Sequence, residues 1–310
     1  MSKRVLILGG SGRFGSNCAA AFWNAGWKVK SFERAKDDLD QEVARADVVV
    51  NGWNPLYNQW EEQLPKLTQR LLTAMEGANA TLLQPLNVYV YGQDAPQTFE
   101  VETEHGATNP LGRIRIDLET ALRGASFPVI FLRAGDFIDT SASGNWLDRI
   151  ILAKVSKGVA QYPGALDAAH AWAYLPDLGR AAVQLAEKRA DLSQFTEVNF
   201  PGYTLTGREV ASLASKAVGR PIRLKQMSWL PIALLRPFWP IARYLIEMRY
   251  LWNKPHRVSS KSLDEVLPEF VATPAEEAIS TAISGILDGA DTASKPGSGG
   301  TSVSQMTETA

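Results

Sequence analysis

Apolar positions in the first 190 residues alternate between two textures. Short, unbroken apolar runs lie at Val5–Leu8, Val29–Phe32, Asp47–Asn51, Leu82–Leu83 and Val129–Leu132. Runs such as Val48-Val49-Val50, with no polar residue between, predict strands covered on both faces, as in a parallel sheet. Between them, apolar residues recur at helical spacing. Phe14, Cys18, Ala21, Phe22 and Ala25 form one such stripe, closed by Gly26. A second helix is predicted from about Asn58 to Met75, with a kink at Pro65. A third runs from about Gly112 to Arg123 and stops at Gly124. A fourth is predicted to start from Asp177 as N-cap, with Leu178, Ala181, Ala182 and Leu185 facing inward. Strand, helix and parallel strand in succession predict a doubly wound α/β sheet with right-handed crossovers.

From Thr196 the pattern changes. Thr206 and Glu209 have capping-box spacing, opening a helix that runs through Ala217 and stops at Gly219. A Pro- and Trp-rich region follows, Pro221 to Pro255. Residues 196–288 are therefore expected to form a smaller lobe over the sheet edge. Residues 289–310 are mostly Ser, Thr, Gly and Ala and are expected to be a disordered tail.

Composition narrows the function classes. At 310 residues and 45% hydrophobic, the chain has material for one large domain or two lobes. A net charge of −1 argues against a protein that coats nucleic acid. The single cysteine, Cys18, and three scattered histidines offer no metal-ligand spacing, so no metal is expected. No apolar stretch approaches the ~18 residues of a membrane span. The N-terminal apolar run is too short for a signal peptide, so a cytoplasmic location is expected.

One segment is charged out of proportion. Between Arg220 and Lys261 stand nine Lys or Arg residues and one acid, Glu247, a net of +8. Trp229, Phe238, Trp239, Tyr244, Tyr250 and Trp252 are interleaved with them. Three readings stay open. The aromatics pack on the sheet edge with the cations solvated; the segment is a lid whose arginines, Arg243 and Arg249 among them, recognise an anionic or sugar-like substrate; or it lies on a membrane surface, against which its prolines argue.

The strongest motif runs from Arg4 through Gly9-Gly-Ser-Gly12-Arg-Phe-Gly15. It leaves a predicted strand and enters a predicted helix, the context in which such glycines matter. They permit a tight turn and close approach of a pyrophosphate, which then meets the free N–H groups of the helix. Gly9, Ser11, Gly12, Arg13, Phe14 and Gly15 are thus candidate dinucleotide contacts, and residues 1–195 a Rossmann-like NAD(P)-binding domain. Asn51, ending a strand before Gly52, should border the same site.

With that loop, the sequence resembles the short-chain dehydrogenase/reductase superfamily in its extended or atypical, epimerase-like branch. Val90-Tyr91-Gly92, Phe131-Leu132-Arg133-Ala134-Gly135, Ala173-Tyr174-Leu175-Pro176-Asp177-Leu178 and Leu205-Thr206 with Glu209 follow in the family's order. The resemblance covers roughly residues 4–285.

Cofactor choice turns on the end of the second strand, which offers both Glu33 and Arg34. An acid there favours NAD through the ribose 2′-OH, and an arginine favours the 2′-phosphate of NADP. Arg34 with Arg13 can clamp one phosphate, so NADP is expected, with NAD the alternative. Only a dozen residues separate Arg34 from Asp47. The family's usual third strand should therefore be absent, leaving Val29–Phe32 at the sheet edge.

The resemblance implies a Tyr-x-x-x-Lys pair and a Ser or Thr as catalytic groups. The matching positions are Leu111, Arg115 and Asn87. Leucine has no ionisable proton, so the usual relay cannot operate, and the catalytic residues are left unassigned. Arg115 falls on the helix face that should pack on the sheet, where a cation needs a partner. It is expected to pair with Glu119 one turn on, to keep the lysine's ribose-binding task, or both. Tyr89 and Tyr91 are expected to be packing residues; Asp136 and His170 are weaker candidates for proton transfer. Two functions follow: an NAD(P)-dependent oxidoreductase or epimerase-type enzyme with a non-standard acid, or a non-catalytic NAD(P)-binding redox sensor or assembly factor. An exposed apolar patch favours the second, and a polar pocket at the nicotinamide favours the first.

Overall fold

A computed structural model describes residues 3–294. The chain opens with β1 (Arg4–Leu8), α1 (Arg13–Asn24), β2 (Lys28–Ser31), α2 (Leu39–Ala44) and β3 (Val48–Asn51). It continues through α3 (Trp60–Met75), β4 (Thr81–Leu86), β5 (Thr98–Phe99), α4 (Pro110–Arg123), β6 (Val129–Arg133) and β7 (Asp136–Ile138). Next come β8 (Val159–Tyr162), β9 (His170–Tyr174), α5 (Leu175–Glu187), β10 (Phe195–Asn199), β11 (Tyr203–Leu205), α6 (Gly207–Val218) and β12 (Arg223–Gln226). The remainder is α7 (Leu230–Leu235), α8 (Ala242–Glu247), β13 (Arg257–Val258), α9 (Lys261–Val266) and α10 (Ala275–Ser294).

Six parallel strands form the main sheet in the order β10-β6-β4-β3-β1-β2. Successive side chains of β1 point to opposite faces. Leu6 and Leu8 pack with Val49, Trp60 and Leu111 on the side of α3 and α4. Val5 and Ile7 pack with Val48, Val50, Phe22 and Leu178 on the side of α1 and α5. Each fully buried aliphatic side chain contributes about 1.5–3 kcal/mol, which explains why these strands lack polar interruptions. β2 is an edge strand, and only α2 occupies the gap before β3. The short connection leaves no room for another strand, as its length implied.

Smaller pairings build the rest. β11-β9-β7 form one sheet, β12 pairs with β8, and β13 pairs with β5. Their core gathers Trp172, Trp229, Trp252, Tyr162 and the inner face of α6. The Thr206–Glu209 capping box is complete in both directions, and Gly219 closes α6 at φ 65°.

Three expectations need correction. Asp177 is not an N-cap: α5 starts two residues earlier, with Tyr174 as N-cap and Pro176 in the first turn. Asp177 instead accepts from Thr273 N at 2.7 Å and from Thr273 Oγ1 at 2.8 Å, tying α5 to the segment before α10. A boundary at residue 195 cuts through β10, the outer strand of the large sheet, and β7 and β9 from the first part join β11. Finally, α10 carries helix as far as Ser294, into the stretch expected to be disordered; the rest of that stretch lies outside the described residues.

Candidate functional site

A cleft of about 1430 Å³ opens at the carboxyl ends of the parallel strands, where open α/β sheets bind ligands. Gly9, Ser11, Gly12, Arg13, Phe14, Arg34, Asn51 and Arg115 all line it. Gly15 lies beneath the loop instead. A Cβ there would collide with the carbonyl oxygen of Gly9. Gly9 adopts φ 72°, and a side chain on it would sit 2.7 Å from the Gly52 oxygen. The turn closes with Gly12 N donating to Gly9 O at 2.9 Å. Gly12 is the N-cap of α1, whose first turn holds no acid. The helix end therefore faces the cleft with uncompensated positive dipole.

The two arginines expected to share a phosphate are employed differently. Arg13 Nε donates to Ser143 O at 3.1 Å and its Nη2 to Gly144 O at 2.9 Å. It fastens the 143–144 loop over the glycine turn rather than standing free beside Arg34. Arg34 lies with its guanidinium carbon 5.0 Å from the Trp53 ring. Glu33, the competing acid, is paired with Lys36 at 2.5 Å. Asn51 donates to Gln84 Oε1 at 2.7 Å and accepts from Trp53 N at 3.2 Å, which shapes the loop after β3.

Leu111 is fully buried at the start of α4. The expected Arg115–Glu119 ion pair is not formed. Glu119 is held by Arg133 from the end of β6, Nη1 to Oε1 at 3.0 Å and Nη2 to Oε2 at 2.7 Å. Arg133 also binds Glu197 at 2.7 Å, so the bidentate fork takes the carboxylate. Arg115 lies over the Trp60 ring, 4.0 Å from its centroid, and donates to Asn54 Oδ1 at 2.6 Å. Its Nε has no partner. Burial pushes its pKa down to about 10. It is a buried cation with no carboxylate among the described residues, facing a cleft.

Two hydroxyls meet beside it. Tyr57 Oη and Tyr89 Oη are 2.8 Å apart, and both residues line the cleft. Burial pushes both phenols upward, reinforced by Asp136, while Arg115 pulls both back. Tyr89 is thus more than a packing residue. Tyr91 is one: it stacks on Phe99 at 4.2 Å. Asn87, at the position of the family's Ser or Thr, also lines the cleft and accepts from Tyr89 N at 3.1 Å. Asp136 lines it too, with His170 Nε2 2.7 Å behind its carboxylate. His170 is clamped flat on Trp252 at 4.2 Å, which holds the carboxylate in place. Nothing in the sequence singled out Tyr57, since it follows no motif and meets Tyr89 only in space.

No family model matches the chain, and no curated protein matches it. Solved structures do. MoeE5, in complex with UDP-glucose and NAD, superposes with a TM-score of 0.71 at 16% identity, covering 93% of this chain and 100% of that one. UDP-glucuronic acid 4-epimerase from Bacillus cereus, bound to UDP-glucuronic acid and NAD, gives 0.70 at 12% identity, covering 92% and 99%. UDP-glucose 4-epimerase from Bifidobacterium longum, with NAD+ and UDP, gives 0.66 at 16% identity, covering 93% and 99%. The chain has their fold. It is the Rossmann-like α/β architecture expected from the glycine loop, matched over nearly the whole length. At these identities the likeness extends to the fold and no further.

Proposed function

We propose that the protein is an NAD(P)-binding, epimerase-like oxidoreductase acting on a sugar-like substrate. The observation that carries this reading is one cleft that joins two things. The acid-free N-terminus of α1 sits in it with the Gly9–Gly15 turn, and so does the Arg115–Tyr89–Tyr57 group. The solved relatives hold NAD and UDP-sugars, which supports both the cofactor class and the substrate class.

The residues fit a dinucleotide. Gly9 and Gly12 leave the backbone open to a pyrophosphate, and Arg34, which makes no ion pair among the described residues, is available to a 2′-phosphate. NADP is the proposed form, since Glu33 is occupied by Lys36. The bound cofactor would supply hydride donation and acceptance at its nicotinamide. Arg115 keeps the lysine's place at the ribose. In the reducing direction Tyr89 gives its proton to the developing alkoxide, Tyr57 donates a hydrogen bond to the resulting phenolate, and Arg115 stabilises that charge. Asn87 and Asp136 orient the substrate hydroxyls.

The test is in two steps. NADPH and NADH are titrated by fluorescence, then turnover is sought over a panel of UDP-sugars in wild type and Tyr89→Phe. Binding with turnover lost in Tyr89→Phe is the expected result. The non-catalytic reading has an observation of its own, an exposed apolar hairpin at α7. Tight cofactor binding without turnover of any sugar nucleotide would favour it.

A further inference from the structure

The hairpin formed by α7 and α8 exposes its apolar side chains. Leu230, Leu234, Leu235 and Phe238 stand among the most exposed large hydrophobic residues of the described chain, Phe238 at 86% and Leu234 at 68%. Leu230, Leu234 and Phe238 recur at intervals of four, so one helical face carries them. The turn continues past α7, with Trp239 N donating to Leu235 O at 2.8 Å. The projection is not a frayed end. Trp229 anchors its start, buried and donating to Pro163 O at 2.6 Å, and Ile241 is buried at its return.

Its charge is one-sided. Arg236 lies at the exposed apex, Arg243 is exposed on α8, and Arg249 sits 5.5 Å from the Trp229 ring. The segment's one acid, Glu247, is turned inward, accepting from Asn109 Nδ2 and Leu111 N at 2.7 Å each. Glu61 of α3 is the one acid from another element that acts on Arg243.

We infer that the α7–α8 hairpin docks this protein onto a bilayer surface that carries anionic headgroups. A convex apolar tip rimmed by arginines suits an interface: Leu and Phe enter the acyl boundary while guanidiniums remain among the phosphates. A protein groove would need a matching concavity, whereas a fluid bilayer does not. No helix among the described residues is long and apolar enough to cross a membrane, so this is peripheral contact. The inner side of the same hairpin supplies Pro231, Ile232, Leu235 and Trp239 to the cleft. The docking does not rest on the cofactor reading.

The experiment is co-sedimentation of the full chain with vesicles of phosphatidylcholine alone or mixed with phosphatidylglycerol. Binding to the mixed vesicles should exceed that to phosphatidylcholine by roughly tenfold or more and fall with added salt. Leu234→Asp and Phe238→Asp should each abolish it, and Arg236→Glu should weaken it. NADPH titration and thermal unfolding of these variants should match wild type, because the side chains touch neither cleft nor core. Absence of sedimentation with either vesicle overturns the inference. So does vesicle binding indifferent to both Asp substitutions. A concentration-dependent dimer abolished by Phe238→Asp, or a protein partner lost with it while vesicles are ignored, would assign the patch to that occupant instead.

Discussion

The guanidinium of Arg133 and the carboxylate of Glu119 face each other edge to edge, both buried, with two hydrogen bonds of 3.0 and 2.7 Å. The pair locks the end of β6 to the middle of α4. Arg133 also donates to Asn87 O at 2.6 Å, which steadies the turn that presents Tyr89. Because the fork of Arg133 satisfies Glu119, Arg115 on the same helix is left to face the cleft.

Removing Glu119 strands Arg133 beside Glu197 alone. Breaking a buried ion pair from one side typically costs about 3–5 kcal/mol. Glu119→Ala should therefore lower the urea midpoint of unfolding by that equivalent. Glu119→Gln, which keeps an acceptor, should cost less. A midpoint unchanged in Glu119→Ala would mean that this network does not hold α4 in place.

Glycines of the loop should separate by readout. A side chain at Gly15 meets the Gly9 carbonyl backbone, whereas one at Gly12 has its nearest neighbour at 3.2 Å and opens toward the cleft. Gly15→Ala should reduce thermal stability. Gly12→Asp should leave the fold largely intact but place a carboxylate at the helix N-terminus, lowering NADPH affinity by at least roughly tenfold through repulsion of the pyrophosphate. Calorimetry and fluorescence titration on both variants check the split; equal effects of the two in both measurements would contradict it.

Acid sensitivity should trace to His256. It is buried, and desolvation with the neighbouring His170 pushes its pKa down to about 3. Nδ1 donates to Lys254 O at 2.9 Å and Nε2 accepts from Ala171 N at 3.5 Å, so the neutral ring fits and a second proton would oppose an N–H. The unfolded chain takes up that proton near pH 6.5, and the folded chain does not until about pH 3. Stability should thus fall as pH drops below about 6.5, by at most ~1.4 kcal/mol per pH unit, and level off near 3 as far as this group is concerned. His256→Gln should flatten that slope in urea titrations between pH 6 and 4.

The sheet and the glycine turn were legible because both depend on local rules. Val48-Val49-Val50 is apolar on both faces, and Gly9 is needed where φ is positive. The edge position of β2 was legible from the shortness of the connection after Arg34. What was not legible depends on partners distant in the chain. Glu119 is four residues from Arg115 yet is taken by Arg133, because a planar fork at a strand end competes better than a neighbour along the helix. Tyr57 and Tyr89 are separated by β4 and α3, and no spacing relates them. Asp177 has the residue type of a cap, but Pro176 starts the helix before it. The apolar run Leu230–Leu235 reads as core, and only its placement on a hairpin shows that it is exposed.

The proton-carrying pair can be tested against the position it replaces. Leu111 is in the core and does not line the cleft. Leu111→Ala should cost about 2–5 kcal/mol of stability while turnover per folded molecule stays the same. Tyr89→Phe should cut turnover by about 10²-fold or more, the range of lost general acid catalysis, with cofactor affinity unchanged. Tyr57→Phe keeps Tyr89 but removes its hydroxyl partner, so a smaller loss and a displaced pH profile are expected. If Leu111→Ala abolishes turnover in folded, cofactor-bound protein, the proton does not pass through the tyrosines.

Arg34 should decide between the two cofactors. It rests on Trp53 at 5.0 Å from the ring and is exposed, so its charge is available at the end of β2. Arg13, the other candidate, spends its donors on Ser143 and Gly144. A 2′-phosphate held mainly by one guanidinium should lose roughly 1.5–3 kcal/mol of affinity when that group is removed, as charge-assisted hydrogen bonds do. Arg34→Ala should therefore weaken NADPH by about ten- to a hundredfold and NADH by much less. Arg13→Ala, by contrast, should affect the two nucleotides alike, because it releases the 143–144 loop over their common half. Fluorescence titration with both nucleotides gives the ratio directly. Equal losses for NADPH and NADH in Arg34→Ala would show that this arginine is a surface residue and that the 2′ position is read elsewhere.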